Sequence, residues 1–238
     1  MNRIDTAMIL AAGLGTRMRP ITERLPKPLV AVGGRSLIDR CLDAVVAAGI
    51  ARAVVNVHHL AELMIGHLQS RRDILIEISD ERDELLDSAG GVIRALPLIG
   101  SRPFVLLNAD TFWIDVDRPN LQRLALAWQP QQMDILLMLA SPTQAHGHDG
   151  GADFRMADDG RLERARGGPG MIYAGAAILH PRIFAGARAE RQSLNLYFDR
   201  AIAGGRLYGM RMEGNWITVG TPAAIDEAER VLARIGGR

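Results

Sequence analysis

Short apolar runs alternate along the chain with longer segments whose apolar residues recur at helical spacing. The apolar runs predict strands at 7–11, 53–57, 74–78, 104–108, 135–140, 172–179 and 207–212. The periodic segments predict helices at 37–48, 60–69, 90–96, 121–128, 194–203 and 222–235. Strands that alternate with helices are typical of βαβ units. The pattern therefore predicts an α/β fold whose largely parallel sheet is covered on both faces.

Capping and breaking residues sharpen the bounds of these helices. Ser36 is expected to cap the first helix, and Gly49 to end it. Pro97 is expected to stop the helix that opens at position 90, and Thr221 to cap the last helix. The stretch 141–170 is poor in apolar residues and rich in Gly, Asp and Arg, which predicts loops and a hairpin across the mouth of a site.

Composition and charge narrow the class of protein. The chain has 238 residues, of which 48% are hydrophobic and 23% charged, and its formal net charge is +1. These values predict a single domain over residues 1–238 and favour neither nucleic acid nor a membrane surface as a partner. Cys41 is the single cysteine, so no internal disulfide is possible. Residues 1–6 are too few and too polar to precede a secretory apolar region, and we expect a cytosolic protein.

The first predicted strand runs into a loop of small residues that suits phosphate binding. Small side chains let backbone N–H groups approach a phosphate, and a guanidinium can bridge two phosphate oxygens. The loop lacks the third glycine of the dinucleotide fingerprint and the Gly-Lys-Ser/Thr of a P-loop, which disfavours both interpretations. The residues expected to hold the phosphates of a nucleotide are Ala11, Ala12, Gly13, Gly15, Thr16 and Arg17.

Lys27 is the only lysine among the 28 Lys and Arg residues of the chain. Codon bias toward Arg explains why lysine is rare in this chain. The alternative to a functional role for Lys27 is that one exposed lysine survived by chance. An ammonium is a compact point charge and a guanidinium a planar fork, so the two do not substitute freely at a tight phosphate. Pro26 and Pro28 flank Lys27 and restrict its backbone. We therefore expect Lys27 to contact phosphate.

These two segments carry a resemblance to a known family. Residues 10–20, which read LAAGLGTRMRP, together with Pro26-Lys27-Pro28, resemble the signature of the sugar-nucleotide pyrophosphorylases. The resemblance extends along nearly the whole chain and implies a three-layer Rossmann-like fold with a mixed, mostly parallel central sheet. It also implies a sugar-1-phosphate nucleotidyltransferase. In such an enzyme Lys27 would hold phosphate at the reacting centre, and Arg17 would hold the leaving pyrophosphate.

Asp110 follows the predicted buried strand at 104–108, at the edge where open α/β sheets place ligands. Mg²⁺ usually takes one or two protein carboxylates and binds substrate phosphates as well, so this carboxylate suits it. An Asp that caps the next turn is the alternative. Residues 108–110 resemble the family's metal-binding strand end, which implies Mg²⁺ as the cofactor and Asp110 as a catalytic residue.

Residues 216–221 resemble the family's late Trp-x-Asp-x-Gly-Thr motif, with one departure. Thr218 stands where the family has the second aspartate ligand of the metal. A neutral hydroxyl in place of a carboxylate is expected to weaken Mg²⁺ binding, although the triphosphate supplies oxygens of its own. The alternative is that another carboxylate takes the place of the missing aspartate.

The resemblance also implies contacts to the nucleoside and to the sugar. Residues 87–91 resemble the acidic, hydroxyl and diglycine segment against the nucleoside, in which Ser88 and Gly90 are the expected contacts. Glu81 lies where a side chain would contact the base, and a solvated charge run that continues through 82–84 is the alternative. The implied sugar contacts are Asn108, Asp153 and Gly175, and Arg164 or Arg166 would replace the sugar-phosphate lysine of many relatives.

Within the family the chain most resembles N-acetylmuramate 1-phosphate uridylyltransferases of cell-wall recycling, and mannose-1-phosphate guanylyltransferases next. The implied partners are a nucleoside triphosphate, UTP, and a sugar 1-phosphate, bound by about residues 1–110 and 111–238 respectively. We expect a monomer or a small homo-oligomer. Two other classes stay open: a non-catalytic nucleotide or sugar-phosphate binding module, which Thr218 would permit, and a dinucleotide-binding oxidoreductase, which Arg17 and Lys27 disfavour.

Overall fold

Strands and helices alternate along the chain, and the computed structural model describes residues 4–236. The strands are β1 Thr6–Leu10, β2 Ala31–Val32, β3 Arg35–Ser36, β4 Arg52–Val57, β5 Leu75–Asp80, β6 Phe104–Asn108, β7 Thr111–Ile114, β8 Ile135–Ala140, β9 Ala145–His146, β10 Phe154–Met156, β11 Leu162–Arg164, β12 Ile172–Leu179, β13 Leu207–Arg211 and β14 Asn215–Thr218. The α-helices are α1 Leu37–Ala47, α2 Ala61–Leu68, α3 Asp87–Ile99, α4 Asn120–Ala127, α5 Asn195–Ala203 and α6 Pro222–Gly236. Among these residues, no helix combines the length and the apolar character that crossing a membrane requires.

The central sheet has seven strands in the order β13-β8-β12-β6-β1-β4-β5. The neighbours β6, β1, β4 and β5 run parallel, and β13 runs parallel to β8. Strand β12 is antiparallel to both β6 and β8. The predicted mixed, mostly parallel sheet is confirmed.

Consecutive residues of the central strands are buried on opposite faces of the sheet. Met8 and Ile9 of β1 belong to different core clusters, as do Leu106 and Leu107 of β6. Because side chains alternate along a strand and both faces are covered, such strands have a continuous apolar sequence. Helices α1, α2 and α4 contribute to one cluster, and α3 and α5 to the other. The predicted three layers are therefore confirmed.

The capping residues act as the sequence predicts. The Asp39 N–H donates to Ser36 Oγ at 3.2 Å at the start of α1, and Gly49 follows its end with a φ of 75°. At the start of α6 the Ala224 N–H donates to Thr221 Oγ1 at 3.4 Å. Both caps supply an acceptor to an N–H group that has no partner within the helix.

The predicted bounds of α3, a start at position 90 and a stop at Pro97, were wrong, because α3 spans Asp87–Ile99. Pro97 lies in the last turn, where its missing N–H removes one intrahelical hydrogen bond and its fixed φ still fits a helix. The helix ends at Gly100, whose φ is 90° and whose N–H donates to the Leu96 carbonyl at 2.8 Å.

Two smaller sheets lie outside the central one and bear on the site. Strands β10 and β11 form an antiparallel pair, which confirms the predicted hairpin within 141–170. Strand β14 lies between β7 and β9 and packs with α6 over a separate core cluster. The sequence pattern missed β7, β9 and β14 because they have at most four residues each. Their pairing brings Thr218 opposite Thr111, one residue beyond Asp110.

Candidate active site

A cleft of about 500 Å³ opens at the carboxyl ends of β1, β4 and β6, a size that is usual for small-molecule sites. The sequence-predicted residues that line it are Ala11, Ala12, Gly13, Gly15, Thr16, Arg17, Lys27, Glu81, Ser88, Asn108 and Asp110. The remaining lining residues are Leu10, Pro28, Asn56, Leu85, Asp87, Ala109, Arg191 and Gly220. One cavity therefore unites the Gly/Arg loop, the lysine and the aspartate.

The loop after β1 is anchored at two points. The Ala11 N–H donates to Asn56 Oδ1 of β4 at 2.6 Å, and Thr22 Oγ1 donates to the Gly15 carbonyl at 2.8 Å. Gly15 has a φ of 60°, and a Cβ atom there would lie 2.8 Å from Thr22 Cγ2. The position therefore requires glycine both for its backbone conformation and for space. These contacts fix the loop without help from a ligand.

Lys27 and Asp110 form an ion pair across the cleft, with 2.7 Å between Nζ and Oδ2. The Lys27 side chain is 12% exposed and the Asp110 side chain 36% exposed. Lys27 lies in a 3-10 turn at Lys27–Leu29, and Asp110 lies just beyond β6. A cation and a hard oxygen donor therefore lie next to each other at one point of the cleft.

Arg17 lies at the other side of the loop, next to the segment that follows β14. A Cβ atom built on Gly220 would lie 3.7 Å from Arg17 Nη2, which is ordinary van der Waals contact, so the guanidinium lies directly beside this glycine. Arg17 forms no ion pair with the residues that the structure describes, and it is exposed to the cleft. Its planar group is therefore available to bridge two phosphate oxygens.

Glu81 is fully buried beneath the cleft and belongs to a hydrogen-bonded chain. Asn56 Nδ2 donates to Glu81 Oε1 at 2.7 Å, while Asn56 Oδ1 accepts from the Ala11 N–H. Glu81 Oε2 has no hydrogen-bond partner among the described residues. Burial raises the pKa of Glu81, because water no longer solvates the ionised form. The expected contact of Glu81 with a base stays a prediction, and the side chain is not part of a solvated charge run.

We expect Glu81→Gln to gain stability relative to the wild type as pH rises. The folded state has a raised pKa at Glu81, so the wild type loses stability as pH rises through that value, whereas glutamine does not titrate. Thermal unfolding of both proteins from about pH 4, below the ordinary pKa of a glutamate, to about pH 8 measures the effect. A difference in Tm that does not change with pH would contradict it.

The start of α3 is packed tightly against a later loop. The N–H groups of Ala89 and Gly90 both donate to the Gln192 carbonyl, at 2.9 and 3.3 Å. A Cβ atom on Gly90 would lie 2.2 Å from the Glu190 carbonyl oxygen. Gly90 is not among the residues that line the cleft, whereas Ser88 is. Its expected nucleotide contact stays a prediction, and its visible role is close packing of backbone.

Gly90→Ala should destabilise the fold by about 2 kcal/mol, because backbone rather than a flexible side chain must move to accept the methyl group. Gly66→Ala in α2 is the matched control. Nothing lies within 4 Å of a Cβ atom at position 66, so it should be neutral or stabilising by up to about 1 kcal/mol. Urea unfolding measures both changes, and equal effects would refute the packing argument.

A side pocket of about 250 Å³ adjoins the cleft, since Ser88 and Asn108 line both cavities. Its lining residues are Ser88, Asn108, Asp153, Phe154, Arg164, Tyr173, Ser193, Leu194, Asn195 and Phe198. The structure thus places Asn108 and Asp153, two of the expected sugar contacts, around one cavity beside the cleft.

Some polar groups in the side pocket form hydrogen bonds within the protein, and one has no partner among the described residues. Asp153 Oδ2 accepts the Tyr173 N–H at 2.8 Å, and Arg164 Nε donates to Asp199 Oδ1 at 2.8 Å. The Tyr173 hydroxyl is buried and has no partner among the described residues, and burial raises the pKa of Tyr173. Arg166 does not line the pocket.

Gly175, the third expected sugar contact, lies behind the pocket wall. Its φ is 73°, and a Cβ atom there would lie 2.5 Å from Thr111 Oγ1 and 3.2 Å from Asn108 Cβ. Gly175 lines neither the cleft nor the side pocket. The structure shows it as the residue that lets β12 approach Asn108, and its contact with a sugar stays a prediction.

Thr218 lies beside the Asp110 segment and not on the cleft wall. The Val219 N–H donates to the Asp110 carbonyl at 2.9 Å, and Gly220 is the first residue after β14 that lines the cleft. Over residues 4–236, no group of three or more His, Cys, Asp and Glu side chains forms a candidate metal centre. Asp110, Asp87 and Glu81 are the carboxylates that line the cleft, and the role of Asp110 as a metal ligand stays a prediction.

Residues 6–150 match the nucleotidyl transferase family, and this segment carries most of the cleft. The chain belongs to this family. The nucleotidyltransferase is similar to the N-acetylmuramate alpha-1-phosphate uridylyltransferase of Caulobacter vibrioides, with 44% identity over 95% of this chain and 96% of that protein. It is also similar to the mannose-1-phosphate guanyltransferase of Aspergillus fumigatus, with 30% identity over 91% of this chain and 61% of that protein.

A solved structure shows the same fold. The UDP-glucose pyrophosphorylase from Acinetobacter baumanii superposes with a TM-score of 0.78, covering 97% of this chain and 93% of that one at 18% identity. The family resemblance inferred from residues 10–28 is confirmed, and the oxidoreductase alternative is wrong.

Two cleft residues, Asn56 and Arg191, were not predicted as site residues from the sequence. Asn56 is a buried polar residue within the apolar run of β4, a signal that could have indicated a role in positioning. Arg191 has no such signal, because only the packing of its loop against α3 brings it to the cleft.

Proposed function

We propose that this enzyme joins UTP to N-acetylmuramate 1-phosphate and releases pyrophosphate. The observation that carries the proposal is the Lys27–Asp110 ion pair, which lies in one cleft with the Gly/Arg loop. The similarity to the Caulobacter vibrioides uridylyltransferase along almost the whole chain supports the choice of UTP and of this sugar.

The reaction is an in-line displacement at phosphorus. A phosphate oxygen of the sugar 1-phosphate forms a bond to the α-phosphorus of UTP, and the bond from that phosphorus to the bridging oxygen of the β-phosphate breaks. The electron pair of the broken bond leaves with pyrophosphate, so no covalent enzyme intermediate is needed. Catalysis of this kind depends on positioning and on charge neutralisation.

The Gly/Arg loop and Lys27 would have separate roles in that displacement. The loop residues Gly13 to Thr16 place backbone N–H groups near the triphosphate, and Arg17 bridges oxygens of the leaving pyrophosphate. Lys27 neutralises charge at the α-phosphate. Its flanking prolines and its low exposure hold the ammonium at one position, which reduces the reorganisation needed in the transition state.

The residues present fit Mg²⁺ as a cofactor with a single protein carboxylate. Asp110 is partly exposed in the cleft and would hold the ion, while phosphate oxygens and water complete its coordination. When bound, Mg²⁺ would neutralise developing charge on the phosphates. Thr218 leaves no second carboxylate at this point, so affinity for the free metal should be low.

The remaining assignments belong to the same proposal. Residues up to about 110 supply most of the cleft and would bind the nucleotide, whereas the side pocket is formed mainly by later residues and would hold the sugar. Glu81, Ser88 and Gly90 are proposed on the nucleoside side, and Asn108, Asp153 and Gly175 on the sugar side. A cytosolic location and a monomeric or small homo-oligomeric state stay predictions.

Pyrophosphate release from a panel of nucleoside triphosphates and sugar 1-phosphates, with Mg²⁺, tests the proposal. We expect the highest kcat/KM with UTP and N-acetylmuramate 1-phosphate. Preference for GTP and mannose 1-phosphate would favour the activity of the Aspergillus relative. Binding without turnover on every pair would favour a non-catalytic module, the candidate that Thr218 supports.

A further inference from the structure

The segment 188–195 borders both the cleft and the side pocket. Arg191 lines the cleft, and the last residues of the segment line the side pocket. The Gln192 carbonyl accepts two N–H groups from the start of α3, and the Leu194 N–H donates to Ser88 Oγ at 3.0 Å. Ser88 itself lines both cavities. The backbone that follows Arg191 is therefore fixed against the start of α3, where Ser88 borders both cavities.

The charge of Arg191 is not compensated by the described part of the chain. No carboxylate of these residues forms an ion pair with it, although Asp87 lines the same cleft. Lys27 is paired with Asp110, and Arg164 is paired with Asp199. Arg17 is also unpaired, but it belongs to the phosphate loop. Arg191 is thus a cation of the cleft that lies outside the phosphate loop and that the described residues leave unpaired.

N-acetylmuramate carries a carboxylate in its lactyl ether, in addition to the phosphate at its anomeric carbon. A guanidinium can donate two parallel hydrogen bonds to a carboxylate, which gives both charge recognition and orientation. We propose that Arg191 binds the lactyl carboxylate of the acceptor sugar and so selects it over sugars without that charge. This inference rests on the proposed function.

Arg164 is the competing candidate and is less suited. Its Nε atom donates to Asp199 at 2.8 Å, and its Nη2 atom donates to Asn195 Oδ1 at 2.9 Å. Its guanidinium also lies over the Phe154 ring, 4.8 Å from the centroid. These contacts occupy the donors that a second carboxylate would need, whereas those of Arg191 are free.

The test compares kcat/KM for N-acetylmuramate 1-phosphate with that for its lactamide analogue, in which a neutral carboxamide replaces the carboxylate. We expect the wild type to prefer the carboxylate by about 10- to 100-fold, and Arg191→Gln to lose at least about ten-fold of that preference. The kcat/KM for the lactamide and the KM for UTP should change by less than about three-fold. Arg191→Lys should restore part of the preference.

Arg188→Gln is the matched control, because Arg188 lies on the same segment but lines a different cavity. It should leave the preference unchanged. An unchanged preference in Arg191→Gln, equal losses on both acceptors, or a loss of preference in Arg164→Gln alone would overturn the assignment to Arg191. If the wild type does not turn over N-acetylmuramate 1-phosphate at all, the proposed function itself fails and this assignment fails with it.

Discussion

Lys27→Met is expected to lower kcat by about 1,000-fold without unfolding the protein, since a positioned cation at a transferring phosphoryl group commonly has an effect of this size. The Lys27 ammonium is 2.7 Å from Asp110 Oδ2 and only 12% exposed, so water cannot readily replace it. Methionine keeps the length and the apolar stem of the side chain but removes the charge. Steady-state kinetics with saturating UTP and sugar phosphate measure the effect.

Lys27→Arg separates the loss of charge from the loss of shape. The guanidinium keeps the positive charge but is broader than the ammonium, and Gly15 lies close to the Lys27 stem. We expect a kcat between those of the wild type and Lys27→Met, with little change in Tm. Near-normal turnover by Lys27→Met would refute the catalytic assignment of Lys27.

Asp110→Asn is expected to lower kcat/KM by about 100- to 1,000-fold at fixed Mg²⁺. The substitution removes the carboxylate that would hold the ion, and it leaves Lys27 beside a neutral amide. Raising the Mg²⁺ concentration should recover part of the activity, because the phosphates of UTP still bind the metal. Initial rates across a Mg²⁺ titration measure both effects.

Asp117→Asn is the control for that substitution. Asp117 is an exposed aspartate a few residues beyond Asp110, in the turn after β7, and it lines neither cavity. Its replacement should leave both the rate and the metal dependence unchanged. An Asp110→Asn variant that keeps wild-type rates at every Mg²⁺ concentration would exclude Asp110 as the metal ligand.

The layered fold and most of the cleft were predictable because they depend on local sequence. Residues of the central strands are buried on both faces, so their sequence is continuously apolar and distinct from the helical segments. The Gly/Arg loop and Lys27 lie within 17 residues of one another, from Leu10 to Lys27, and that short motif is specific. Asp110 follows a strand, and strand ends meet at one edge of a parallel sheet.

The roles of individual glycines were less predictable. The positions of Gly90 and Gly175 in family-like motifs suggested ligand contacts, whereas in the structure the missing Cβ admits a neighbouring carbonyl or hydroxyl oxygen. A sequence does not distinguish a glycine that a ligand requires from one that another part of the chain requires. Gly15 meets both conditions, because it is close to Thr22 and also lines the cleft.

The surroundings of Glu81 and Arg191 depend on contacts between distant parts of the chain. Glu81 follows β5, and its neighbour Asn56 lies on β4. Arg191 reaches the cleft because its loop binds the start of α3, about one hundred residues earlier in the chain. Charge runs and loop composition do not indicate which distant segments of the chain will contact one another.

The most direct test of the account is a single reaction that contains the wild-type protein, UTP, N-acetylmuramate 1-phosphate and Mg²⁺, followed by mass spectrometry and a pyrophosphate assay. We predict that UDP-N-acetylmuramate and pyrophosphate form in equal amounts, and that Lys27→Met slows the formation of both products by about 1,000-fold. Release of UDP or free phosphate in place of pyrophosphate, or no product while both substrates bind, would contradict the account.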